Sequence, residues 1–335
     1  MFHRRTLFIV GAGASAEVNF PVGVALARSI AAKMDIRFEH GVDFVGSGDQ
    51  NLYNHIVHMR RQDADDWYHA AIRLRDGLPF SQSIDDYLDQ HRSDKYVNLY
   101  GKAAIVQAVV EAERESKLYF NPFSGDEPFD PNTLADTWLV KFMYMATRGV
   151  PRESVTGVFQ NVEFIVFNYD RCVEYFLISA LERAYAIRRE DAIAIIGKLN
   201  VLHPYGDIGT LREVPFGADR VNCVAAADRI KTYTEQVDAK GLLSEIDKKV
   251  QWAECMVFLG FAFHNQNMRM LRPSTPNQQT KVIYGTAYQM SDADVLEVSN
   301  LINRTMAGPL QIHIENKLKC AGLFDYYAKS LTGGD

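Results

Sequence analysis

Thr6-Leu-Phe-Ile-Val-Gly-Ala-Gly-Ala-Ser15 is the stretch on which the reading of this chain turns. Leu7 to Val10 is a short apolar, β-branched run, the pattern of a parallel strand buried on both faces. It passes directly into Gly11-Ala12-Gly13-Ala14-Ser15, and Ala16-Glu17-Val18 then suits a helix start. A strand that ends in Gly-x-Gly and feeds a helix is how α/β proteins build a phosphate site. Without Cβ atoms the backbone can approach a pyrophosphate, and the amides of the helix start point toward it. Position 16 is Ala, so the third glycine of the dinucleotide fingerprint is missing, and no Gly-Lys-Ser/Thr makes a P-loop. Alone, the turn reads equally well as a nucleotide site or as a tight strand-to-helix turn.

Outward from this stretch, further buried runs stand at Glu163–Phe167, Cys255–Leu259, Lys281–Gly285 and Leu310–Ile314, with a brief extended pair at Val201-Leu202. Helical patterns fill the intervals: Arg171–Ala186, most of Lys231–Glu254, Val295–Ile302 and Phe324–Leu331. Strands alternating with helices predict an α/β fold, a Rossmann-like parallel sheet with helices on both faces. Positions 35–150 contain no convincing strand. They read as Leu52–Gln90, Asp94–Glu115 and Leu134–Thr147 helices joined by loops at 41–49 and 117–132. This predicts a helical module inserted after the first βα unit, within one domain spanning 1–335.

Bulk properties narrow the function classes. The 36 basic against 42 acidic residues give a net charge of −6, which argues against a dominant nucleic-acid footprint. No apolar run is long enough to cross a membrane, and no secretory segment precedes the first strand, so a cytoplasmic location is expected. Cys172, Cys223, Cys255 and Cys320 form no C-x-x-C pair and are read as buried free thiols, with no structural zinc. His55, His58 and His69 lack an H-E-x-x-H frame, so no metal site is expected there. Glu111, Glu113 and Glu115 read as a solvated helix face.

The residues at the end of each buried run are informative. The first run ends in Gly11-Ala12-Gly13-Ala14-Ser15, the second in Asn168-Tyr169-Asp170, the short third in His203-Pro204-Tyr205-Gly206, the next at Gly260. Ligands of such sheets bind at the carboxyl ends of the strands, so these segments are expected to converge on one pocket. Together with Pro21-Val22-Gly23, the set resembles the SIR2-like (sirtuin-related) family, in its prokaryotic zinc-free branch. The resemblance covers most of the chain.

That resemblance implies NAD as the ligand, used as substrate. Gly11, Ala12, Gly13 and Ser15 would hold the pyrophosphate, and Asn168 and Asp170 would face the nicotinamide ribose. Gly260 would border the adenosine half, and His203 matches the family's catalytic histidine, with Asn168 its catalytic partner. The residue types suit the chemistry. Cleaving the N-glycosidic bond develops oxocarbenium character at the ribose, and nicotinamide leaves as a neutral base without a strong general acid. An amide can hold water or ribose hydroxyls, and an imidazole can take up a proton near neutrality.

Two departures choose the activity. The paired C-x-x-C zinc module of deacylating sirtuins is missing, and their Asp-Phe-Arg segment is here Asn19-Phe20-Pro21. An NAD glycohydrolase is therefore expected, of the kind that resembles NAD-depleting effectors of antiviral defence. Such an effector would be gated by homo-oligomer assembly or by a regulatory partner protein. A catalytically silent nucleotide-binding scaffold and an NAD-dependent deacylase or ADP-ribosyltransferase are the alternatives. Asp170 also suits a helix cap, as do His264 and Asn265.

Overall fold

Alternation along the first strand sets the whole architecture. Leu7 and Ile9 belong to one apolar core, and Phe8 and Val10 belong to another on the opposite face. The computed structural model describes residues 1–40, 43–59, 63–121, 130–237 and 240–333. In chain order, β1 (Thr6–Val10) leads to α1 (Ala12–Ser15) and α2 (Gly23–Lys33), then to β2 (Phe38–Glu39) and β3 (Asp43–Phe44). Helices α3 (Gln50–Met59), α4 (Ala64–Gly77), α5 (Ile84–Gln90), α6 (Lys95–Glu115) and α7 (Trp138–Thr147) follow. After β4 (Val162–Val166) come α8 (Cys172–Tyr185), α9 (Arg189–Leu199), α10 (Cys223–Ala227), α11 (Tyr233–Val237) and α12 (Lys240–Trp252). The chain continues through β5 (Cys255–Leu259), α13 (Asn265–Met270), β6 (Lys281–Thr286) and α14 (Asp292–Met306). It then runs through β7 (Leu310–Glu315), α15 (Cys320–Tyr326) and α16 (Ala328–Thr332).

The fold is α/β: a five-stranded sheet in the order β4-β1-β5-β6-β7, every pair parallel, with helices on both faces. One more parallel bridge joins Leu202 to Ile165 at the outer edge of β4. Its two hydrogen bonds, Val166 N to Leu202 O at 2.8 Å and Leu202 N to Phe164 O at 3.2 Å, make Val201-Leu202 a vestigial strand. Counted as the third, it gives the Rossmann order 3-2-1-4-5-6. In that order the crevice where successive connections part lies between β1 and β5.

The segment 35–150 divides between the two faces. Helices α3 to α6 bury residues such as Ile56, Trp67, Leu74 and Val106 in the core of Leu7 and Ile9. Helix α7 packs on the other face, where Phe142 meets Phe8 and Phe164 edge to face at ring distances of 5.2 and 5.4 Å. The expected absence of strands there is corrected by the β2–β3 hairpin, in which Phe38 pairs with Phe44 and Glu39 with Asp43. Two-residue strands carry no legible period, and positions 41–42 lie outside the described residues. Helix α9 and the short α10 occupy stretches where no helix was expected, and the terminal helix splits into α15 and α16. Of the loop expected at 117–132, positions 122–129 lie outside the described residues.

The solvated reading of Glu111, Glu113 and Glu115 holds only for Glu115. Glu111 pairs with Lys33. Glu113 is fully buried and receives Arg171 Nε at 2.9 Å, Arg171 Nη2 at 2.6 Å and Gly217 N at 2.9 Å. Helix α6 is covered by protein over most of its length; Glu113 points into the buried side, and Glu115 at its end stays exposed. All four cysteines are buried free thiols. Among the described residues, no helix is long and apolar enough to cross a membrane.

Candidate functional site

The carboxyl ends of β1, β4 and β5 meet where the sheet order reverses. Gly11 N donates to Leu259 O at 2.9 Å and Gly13 N to Gly260 O at 3.0 Å, while Gly260 N donates to Thr286 Oγ1 at 2.9 Å. The approach leaves no room for side chains. A Cβ on Gly11 would lie 2.6 Å from Gly260 O, and one on Gly260, whose φ is +55°, 2.0 Å from Ala14 N. These glycines therefore serve the contact of one turn with another, and two of the amides expected to face a pyrophosphate are spent within the protein.

Beside this contact lies a cavity of about 500 Å³, lined by Gly11, Ala12, Gly13, Asn168, Tyr205 and Gly260 among others. A second cavity, about 410 Å³, adjoins it across Gly13, Val22, Gly260 and Phe261 and extends to Thr286, Tyr288 and Lys319. The pair spans the edge of the sheet from β4 to β6. The first cavity carries Asp85, Asp86 and His264 on its wall and, among the described residues, no Lys or Arg; the second carries Glu17 and Lys319.

Asn168, Ser15 and Asp170 form one connected group. Asn168 Nδ2 donates to Ser15 Oγ at 3.0 Å, and the Ser15 hydroxyl bonds the Asp170 carboxyl. Asp170 also accepts from Cys172 N at 3.1 Å, the capping role foreseen for it at the start of α8. All three residues are buried. Burial raises the Asp170 pKa, against the bonds from Cys172 and Ser15 that lower it. Of the three only Asn168 lines the cavity, and its amide is fixed there by the bond from Nδ2 to Ser15 Oγ.

His203 sits behind Asn168 instead of on the cavity wall. Its side chain is 6% exposed, its Nδ1 lies 3.1 Å from the Asn168 backbone oxygen and its Nε2 2.7 Å from Glu174 Oε1. Both partners are acceptors, so both ring nitrogens carry hydrogen and the ring is an imidazolium. Burial opposes that charge, but Glu174 outweighs it, and the His203 pKa is raised to about 9.

Two residues further on, Tyr205 does line the cavity, and its hydroxyl donates to Asn267 Oδ1. His264 precedes α13 but makes no side-chain cap; it lines the cavity instead.

No protein-family model, curated protein or solved structure matches this chain.

One cavity residue carried no functional signal in the sequence. Asp85 lies in the first turn of α5, whose cap is Ser83 accepting from Asp86 N at 3.1 Å. First-turn carboxylates are ordinary helix chemistry, so Asp85 looked like nothing more. In the fold its Oδ1 accepts a hydrogen bond from the Tyr169 hydroxyl, the middle residue of Asn168-Tyr169-Asp170. Burial drives its pKa up, the Tyr169 bond pulls it back and neighbouring Asp86 raises it again, to about 6. A cavity lined by an amide, two carboxylates and, among the described residues, no Lys or Arg suits a hydroxyl-rich group that is, or becomes, positively charged.

Proposed function

We propose that this chain is an NAD glycohydrolase of SIR2-like type, converting NAD and water to nicotinamide and ADP-ribose. The observation that carries the reading is the buried Ser15–Asn168–Asp170 group, whose Asn168 lines an acidic cavity beside the β1–β5 crevice. In the cleavage, the bond between ribose C1′ and the pyridinium nitrogen breaks and its electron pair leaves with neutral nicotinamide. The ribosyl carbon becomes cationic as this happens. Carboxylates around it and a fixed amide stabilise that charge most in the transition state. The adjoining cavity, with Lys319, suits the phosphate and adenosine half.

In this reading Asn168 is the catalytic amide, and His203 is a positioning residue that fixes the Asn168 backbone from behind. Gly11, Gly13 and Gly260 shape the crevice by packing on one another. Ala12 remains as the turn residue at the cavity wall. Action in the cytoplasm, in antiviral defence, gated by self-assembly or a partner protein, belongs to the same proposal and rests on the family resemblance alone.

Nicotinamide release from NAD tests it, comparing the wild type with Asn168→Ala and His203→Gln. Asn168→Ala is expected to lower kcat at least about 100-fold. His203→Gln is expected to raise KM and lower kcat together, because it loosens the backbone that carries Asn168. Equal release by all three proteins would sink the site assignment.

A specific observation favours a second reading, a nucleotide-binding scaffold without turnover: both nitrogens of His203 are engaged with protein. Tight binding of ADP-ribose with no nicotinamide release, in the self-assembled state and with every candidate partner protein present, would select it.

A further inference from the structure

Asn168 is an amide that cannot accept a proton, and His203 already carries two. Hydrolysis nevertheless releases a proton from the attacking water. Asp85 lies on the same cavity wall as Asn168, and Tyr169 ties them together, following Asn168 in the chain and donating to Asp85 Oδ1. Among the described residues, Tyr169 is the one side chain that donates to this carboxylate. We propose that Asp85 is the proton acceptor of this site and that Tyr169 holds its carboxylate in place. The inference rests on the NAD-hydrolysing reading and adds to it a residue from outside the four strand-end motifs. As the C1′–N bond breaks toward nicotinamide, the water oxygen bonds to C1′ and its proton passes to the Asp85 carboxylate. That proton then leaves to solvent, so the products are ADP-ribose, nicotinamide and one proton.

The surroundings keep such a carboxylate basic. Asp86 and Asp89 face it from its own helix, Tyr169 from the end of β4 and Tyr205 from the segment after Leu202. Glu235 of α11 acts on Tyr169 and is itself paired with Lys102 of α6 at 2.7 Å. His264 shares the cavity. Burial is the main cause that raises the proton affinity of Asp85; Tyr169 moderates it, and Asp86 and Asp89 add to it. A general base working near neutrality needs this intermediate basicity.

The test is the pH dependence of nicotinamide release together with direct titration of Asp85 by carbon NMR of labelled aspartate. For the wild type, kcat/KM is expected to rise with pH through an apparent pKa of about 6. Asp85→Asn is expected to lower kcat about 100-fold or more and to abolish that rise. Tyr169→Phe removes a bond that favours the ionised form, so the limb and the NMR titration are both expected to move to higher pH. Undiminished release by Asp85→Asn, or an Asp85 that titrates as an ordinary carboxylate in both wild type and Tyr169→Phe, overturns the proton-acceptor role alone. If the wild type, self-assembled and with every candidate partner protein present, releases no nicotinamide at any pH, the hydrolase reading fails and this role fails with it.

Discussion

Nδ1 of His203 donates to the backbone oxygen of Asn168 at 3.1 Å, so the imidazole supports the residue at the cavity wall without entering the cavity. The opposite nitrogen is held by Glu174 at 2.7 Å. Their pairing sets a pH window. The folded-state pKa of His203 is raised from 6.5 to about 9, so its stabilisation is complete below 6.5 and lost as pH rises through about 9. The loss is on the order of 3 kcal/mol. Urea unfolding across that range measures it, and Glu174→Gln is expected to flatten the dependence.

Asp85 also has a raised folded-state pKa, but here the charged form is the disfavoured one: the cost sets in as pH passes 3.8 and is complete above about 6. Asp85→Asn keeps an acceptor for Tyr169 without the charge, so it is expected to stabilise the protein near neutrality by roughly 2 kcal/mol. Near pH ~4, where both forms are neutral in the fold, the gain should vanish. Thermal unfolding at both pH values decides.

The glycine contact is sterically closed. Gly260→Ala would place a Cβ 2.0 Å from Ala14 N at a φ of +55°, and a loss above about 3 kcal/mol is expected. Gly197, within α9, has nothing within 4 Å of its Cβ position. Gly197→Ala should therefore stabilise by about 1 kcal/mol, and the two melting temperatures should move in opposite directions.

Arg171→Met would leave Glu113 buried without its guanidinium and remove the donors to Gly209 O and Val214 O. A loss of about 3–5 kcal/mol is expected. Arg171→Met with Glu113→Leu should recover part of it, because no buried charge then remains. Denaturant midpoints of the single and double variants provide the check.

Ser15→Ala removes the hydroxyl that joins Asn168 Nδ2 to Asp170. Stability should fall by about 1–3 kcal/mol from the unsatisfied buried partners. Nicotinamide release should fall as well, since the amide loses its fixed orientation. A variant that unfolds earlier but turns over NAD as fast as the wild type would separate the hydrogen bond from catalysis.

Much of the fold was legible in residue order. Leu7–Val10, Phe164–Val166 and Cys255–Leu259 are short apolar runs between helical patterns, as burial of a parallel sheet on both faces demands. Leu310–Ile314, read as buried, instead forms the partly exposed edge strand β7. The Ser83 and Asp94 caps obey local rules too, because a cap involves only residues two or three positions away. Features that depend on partners distant in the chain were not legible. Glu113 reads as solvated until Arg171, 58 positions away, is folded onto it. Asp85 reads as a first-turn carboxylate until Tyr169, 84 positions away, donates to it. His203 could be placed beside Asn168, but the direction of its ring was decided by Glu174, a partner visible only once α8 packs against the vestigial strand. Periodicity and turn chemistry are local properties of the chain, whereas hydrogen-bond partners and the local field are set only when distant segments exclude water together.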